Sequence, residues 1–128
     1  MDWIYVQRTG EIFQVDYKGI KIPGTGGFGY SGALGHVNNP ESQNIAFKGP
    51  LPQGTYLIGQ AFDSQLRGPK AIPLTPSSDT NTYGRNAFLI HGDNSKGNQS
   101  ASEGCIIQGR AIRDQIINSN DKILRVVR

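Results

Sequence analysis

The residues best suited to chemistry in this chain are His91 and Cys105, fourteen positions apart. Cys105 is the single cysteine, so it can form neither an intrachain disulfide nor a zinc cluster. It is either a small buried hydrophobe or a reactive thiol, and its neighbours must decide which. A nucleophilic cysteine needs a base within hydrogen-bond reach, a third group to orient that base, and donors for the oxyanion. His91 ends the apolar run Phe88-Leu89-Ile90-His91, where a rigid strand meets solvent, and is the candidate base. Asp93, or a backbone carbonyl nearby, is the candidate to hold its ring and favour the imidazolium. Gly104 leaves the approach to the sulfur open, and the amides of Gly104 and Cys105 are candidates to face the oxyanion. A neighbouring imidazolium lowers a thiol from its usual pKa of about 8.5, so an activated Cys105 is expected to alkylate below about pH 8. The competing reading packs Cys105 in the core beside Ile106 and Ile107 and makes His91 a satisfied strand-end residue. Composition alone favours that reading, because free cysteine is among the most buried residue types.

The elements that must position this pair read as β-rich. Residues 3–8 and 11–17 form an expected hairpin around Thr9-Gly10, both arms rich in aromatic and β-branched residues. A short strand is expected at 20–22. Residues 24–35 hold six glycines with Phe28 and Tyr30 among them, a stretch without helical period that can wrap a ligand or another backbone. The turn Gly49-Pro50-Leu51-Pro52-Gln53-Gly54 precedes a strand at 55–58. Residues 63–86 are polar and proline-interrupted, with one short strand expected at 72–74. Residues 86–91 read as a buried strand, residues 92–103 as a polar loop, and residues 122–128 as a closing strand. The one helix candidate is 110–118, where Ile112, Ile116 and Ile117 share a face. The expected fold is mainly β, a small single-domain β-sandwich spanning residues 1–128, with one late α-helix.

Composition narrows the function classes. Glycine (17) and proline (7) are too frequent for a long-helix bundle. No apolar run approaches the roughly 18 residues of a membrane span, so no membrane insertion is expected. The first eight residues lack a basic segment followed by an apolar one, so no signal peptide is expected. The net charge of +3 sits entirely in the last 20 residues, where Arg110, Arg113, Lys122, Arg125 and Arg128 face Asp114 and Asp121. Spaced cations of this kind read as a solvated surface, and without a recognition module they do not point to nucleic acid. Gly24-Thr25-Gly26-Gly27-Phe28-Gly29 matches the dinucleotide fingerprint in letters, but no βαβ unit surrounds it. Its glycines read better as the wall or lid of a groove. His36 reads as a solvated side chain. With His91 and Asp93 it offers no closed ligand set, so neither metal nor cofactor is expected.

At the segment Ser102-Glu103-Gly104-Cys105 the chain resembles the L,D-transpeptidase family, with His91 in the upstream histidine position. Glu103 stands where that family has histidine, and Ile107 where it has asparagine. These departures are similar to an L,D-transpeptidase-like branch of type VI secretion effectors, the Tlde-type toxins that target peptidoglycan. The resemblance runs through Gly29-Tyr30-Ser31-Gly32, Asn38-Asn39-Pro40, Lys48-Gly49-Pro50-Leu51-Pro52-Gln53-Gly54-Thr55-Tyr56, His91-Gly92-Asp93 and Ser100-Ala101-Ser102-Glu103-Gly104-Cys105-Ile106-Ile107. It implies the L,D-transpeptidase catalytic fold and a cysteine enzyme acting on peptidoglycan tetrapeptide stems. Cys105 is then the nucleophile, His91 the base and Asp93 its orienting residue. Ser102, Glu103 and Gly104 shape the site, and Tyr30 and Ser31 contact substrate or support His91. The implied partners are the stem peptides, a secretion-machine component and a cognate immunity protein. Synthesis in the cytoplasm and delivery into the periplasm of a target bacterium follow from the same resemblance. The alternatives are a cysteine amidase or endopeptidase on the same polymer, or a non-catalytic cell-wall-binding secretion module.

Overall fold

The computed structural model describes residues 1–93 and 102–128. Its first two strands, β1 (Asp2–Val6) and β2 (Glu11–Val15), form the expected hairpin. Alternation along β1 turns Trp3 and Tyr5 inward, and Ile12 of β2, opposite Tyr5, joins them. After two short strands, β3 (Gly27–Phe28) and β4 (Tyr30–Ser31), the chain passes through a 3-10 turn (Pro40–Ser42). It then enters β5 (Gly54–Ile58), β6 (Phe62–Ser64) and β7 (Gly68–Pro76). The site strands follow: β8 (Phe88–His91) and β9 (Ile106–Ile107). Helix α1 (Arg110–Ser119) leads into β10 (Ile123–Val127), which lies parallel to β1.

The strands join one mixed sheet in the order β3-β2-β1-β10-β5-β7-β8-β9-β4, with β6 attached to β7. The two ends of this path are consecutive in sequence. β3 pairs with β2, β4 pairs with β9, and only Gly29 separates them. The sheet therefore curls until its ends meet in residues 27–31. One core of Trp3, Tyr5, Tyr56, Ile72, Ile90, Ile106 and Leu124 draws on both halves of the curl. Ile116 of α1, with Ile112 and Ile117 beside it, packs onto that core, and Trp3 Nε1 donates to Ser119 Oγ at 3.0 Å. The mainly β class with one late helix is as expected, built on a single closed path of strands. Among the described residues no helix is long and apolar enough to cross a membrane.

Four local expectations change. The strand expected at 20–22 is a single bridge between Val15 and Lys21. The stretch expected to hold one short strand at 72–74 holds β6 and the nine-residue β7. Prolines 69, 73 and 76 concealed it, because proline reads as a strand breaker. Pro73 is tolerated because its carbonyl side faces Gly59, just past the end of β5, where a missing donor matters little.

The third change concerns the glycine-rich segment, which is neither lid nor groove wall. A Cβ on Gly26 would overlap the carbonyl of Ile12, and one on Gly29 would overlap that of Ile107. These glycines let the closing segment lie directly on the backbones of β2 and β9. The terminal cations change as well. Arg113 is buried and donates to the carbonyls of Gln108, Pro69 and Lys70, tying α1 to the start of β7. Arg125 and Arg128 pair with Asp2 and Glu41.

Candidate active site

Strands β8 and β9 run parallel, with Ile90 opposite Ile106 and His91 opposite Ile107. Ile90 and Ile106 fill the main core. The period of two therefore turns His91 and Ile107 to the other face. Cys105 sits in the bend that leads into β9, with its thiol against the Leu89 backbone and the Ala87 carbonyl at the start of β8, the strand that ends at His91. Both are buried, His91 to 1% exposure and Cys105 to 8%.

The imidazole is fixed at one nitrogen. His91 Nδ1 lies 2.9 Å from the carbonyl oxygen of Gly92. A carbonyl only accepts, so Nδ1 carries the proton and Nε2 presents its lone pair. Nε2 is buried and has no hydrogen-bond partner among the described residues. The backbone carbonyl, one of the two orienting groups open in the sequence, thus holds the ring. The Asp93 carboxylate accepts a 2.7 Å hydrogen bond from the Tyr30 hydroxyl. Asp93 favours His91 protonation electrostatically, but burial outweighs it and pushes the imidazole below its usual pKa. Burial likewise pushes the Cys105 thiol up, against the pull of the Leu89 backbone and of Arg67 and Arg85. In both groups burial favours the uncharged form, neutral imidazole and neutral thiol. Among the described residues the thiol donates to the Ala87 carbonyl, 3.9 Å from Sγ.

The loop before Cys105 is held by two serines. Ser102 Oγ donates to the Cys105 carbonyl at 2.7 Å and accepts from the amides of Gly32 and Gly104. Ser31 Oγ donates to the same carbonyl at 2.9 Å and accepts from the Leu51 amide. Ser31 is fully buried, so the structure gives it a supporting position and no surface for substrate. Tyr30 is buried too and reaches the site through Asp93. The Gly104 amide, a candidate oxyanion donor from sequence, is already engaged by Ser102. Glu103 lies exposed, 3.6 Å from Arg67. Ser100 and Ala101 of the final motif lie outside the described residues. His36 is away from the pair, its Nδ1 2.9 Å from Ser42 Oγ.

A groove of about 300 Å³ opens over the thiol, lined by Phe47, Arg67, Arg85, Ala87, Glu103 and Cys105 among others. Phe47 and Ala87 hold left-handed backbones, φ +63° and +62°, a strained conformation for residues with side chains and one concentrated at functional sites. Arg85 was missed from sequence. Its guanidinium donates to the carbonyls of Gln43, Pro50 and Gly49. A Cβ on Gly104 would overlap its Nη2. Gly104 thus opens the space beneath the thiol loop for a cation, besides leaving the sulfur accessible. A lone arginine in a polar loop, bonded to carbonyls far away in sequence, leaves no local signal.

A family model described as the Tlde1 domain matches residues 26–128, from the sheet-closing segment through every site residue named above. No curated protein and no solved structure matches the chain.

Proposed function

The chain belongs to the Tlde1-domain family of type VI secretion effectors, and from that premise we propose that it is a cysteine acyl-transfer enzyme acting on peptidoglycan tetrapeptide stems. The observation that carries the reading is His91 Nε2, without a partner among the described residues and with its ring fixed by Gly92, at the end of the strand beside which Cys105 leads into β9. A neutral pair suits general-base catalysis, in which the proton moves as the sulfur attacks. Sγ adds to the carbonyl of the penultimate, L-configured diamino-acid residue while His91 Nε2 takes its proton. The C–N bond to terminal D-alanine then breaks. The imidazolium returns the proton to the leaving amine, and the acyl group stays on sulfur as a thioester. Water attacking the thioester gives L,D-carboxypeptidase action, and an incoming amine gives exchange or cross-linking.

Delivered into the periplasm of a neighbouring cell, such an enzyme trims or caps the donors from which cross-links are made. An immunity protein that covers the groove would protect the producer. The test is mass spectrometry of purified tetrapeptide muropeptides incubated with the protein, with and without D-methionine, beside Cys105→Ala. Loss of D-alanine or its replacement by D-methionine, absent in the variant, is the expected result. Cleavage of an internal bond would assign an amidase or endopeptidase instead. Unchanged muropeptides in every arm would overturn the enzymatic reading and favour a wall-binding module.

A further inference from the structure

Arg85 is a buried cation with no neutralising anion among the described residues. Its exposure is 9%, and among the described residues it forms no ion pair. Both hydrogens of Nη1 are taken, by the carbonyls of Gln43 and Pro50, and one of Nη2 by Gly49. Among the described residues the donors left over are Nε–H and one Nη2–H, which lie together on one edge of the guanidinium plane when Gly49 takes the hydrogen on the Nη1 side. That edge has the spacing that grips a carboxylate with two parallel hydrogen bonds. The residue lines the groove over Cys105, and Gly104 admits Nη2 to a place where any side chain would collide with it. Phe88 closes the other side, its ring centroid 5.8 Å from the guanidinium carbon. Buried charges are ordinarily paired, so a fixed cation with donors to spare, lining the groove over the thiol, suits an anionic group. Arg67, the other groove cation, differs in having Glu103 against it.

We propose that Arg85 is a substrate-binding residue whose free guanidinium edge takes a carboxylate carried within about one residue of the carbonyl that Cys105 attacks. The proposal rests on Cys105 acting as the acyl acceptor and adds the selection rule for its substrate. Two sources offer that carboxylate on a stem peptide: the C-terminus of the departing residue, and the second carboxyl of a diamino acid.

Two measurements on the wild-type protein test it without relying on a variant that folds. The first compares hydrolysis of a tetrapeptide stem as free acid, as C-terminal amide and as diamino-acid side-chain amide. One amidation should lower kcat/KM by roughly thirtyfold, the loss of a charge-assisted pair, and which one identifies the source. The second compares alkylation of Cys105 by iodoacetate and by iodoacetamide, relative to the same ratio for a free thiol. Arg85 should favour the anionic reagent by about tenfold or more, and the preference should fall with added salt. Arg85→Gln should abolish both preferences, Arg85→Lys should keep part of them, and Arg67→Gln should leave them in place. Stems cleaved equally in all three forms, with no iodoacetate preference, would overturn the carboxylate site and leave the peptidase intact. Stems left uncleaved with iodoacetate strongly preferred would remove the peptidase and leave the anion site standing. Preferences that survive in a folded Arg85→Gln would overturn the assignment to Arg85.

Discussion

At His91 the two ring nitrogens are separated by function. Nδ1 is committed to Gly92, which leaves Nε2 as the ring's accepting nitrogen, and the proposed reaction assigns it the proton of Cys105. Replacing His91 with alanine should lower turnover by about a thousandfold, within the range that general-base catalysis supplies. Cys105→Ala should abolish covalent thioester capture altogether, read by intact mass after quenching. Asp93→Asn should cost far less, because the carboxylate acts on the ring through space and accepts a hydrogen bond from Tyr30. Ser102 is the more sensitive neighbour. Ser102→Ala removes one of the two hydroxyls on the Cys105 carbonyl and orphans the buried amides of Gly32 and Gly104. We expect a loss of about 2 kcal/mol in denaturant unfolding, since each unsatisfied buried group costs roughly 1–3 kcal/mol, with kcat falling more than KM rises. Much of this site is legible in the sequence. An apolar strand ending in histidine and a glycine beside a lone cysteine state their chemistry locally. Arg85 does not, because its partners are backbone carbonyls brought to it by the fold, and nothing in the letters around it marks the meeting.

Among the elements, the segment of residues 27–31 bears the greatest constraint. It is the single stretch through which the sheet closes, pairing β2 on one side and β9 on the other. Gly29, between the two pairings, sits where a Cβ would overlap the Ile107 carbonyl and press on the Gln108 side chain. Gly29→Ala should therefore part β4 from β9 and lower stability by about 3 kcal/mol, the upper part of the usual overpacking range. Because β9 follows directly on Cys105, the same variant should expose the thiol and speed its reaction with a neutral reagent. Gly19→Ala, where a Cβ meets nothing within contact distance, is the comparison for a glycine held only by its backbone angle. The contrast explains what was readable here. The hairpin, β5, β8, α1 and β10 announce themselves by alternation or helical period, and their positions follow the sequence closely. Residues 24–35 announce only flexibility, because a close approach of backbones removes the side chains from which a strand is recognised. β7 fails for the opposite reason: its prolines forbid a strand in general but are allowed where the neighbouring strand has ended.

Closure of the sheet makes the titration of the pair a property of the whole molecule. Burial holds His91 below the usual imidazole pKa and Cys105 above the usual thiol pKa, so the folded state favours the uncharged form of each. As pH falls below about 6.5 the unfolded chain binds a proton at His91 that the folded chain resists, so stability is lost on the acid side. As pH rises above about 8.5 the unfolded chain releases the Cys105 proton that the folded chain retains, so stability is lost on the alkaline side as well. Between these limits the pair imposes no slope. Tyr5 and Tyr56, both raised by burial, extend the alkaline loss above about pH 10, where free phenols ionise. Urea midpoints measured from pH 5 to about pH 10 should therefore trace a plateau with two falling limbs. Cys105→Ala should flatten the limb between about 8.5 and 10 and leave the acid limb in place. His91→Gln should flatten the acid limb and leave the alkaline one. A wild-type curve that stays level on the acid side would mean that the folded protein accommodates a protonated His91. The neutral-pair mechanism would then give way to a thiolate–imidazolium pair, with rapid alkylation of Cys105 near neutrality as its signature.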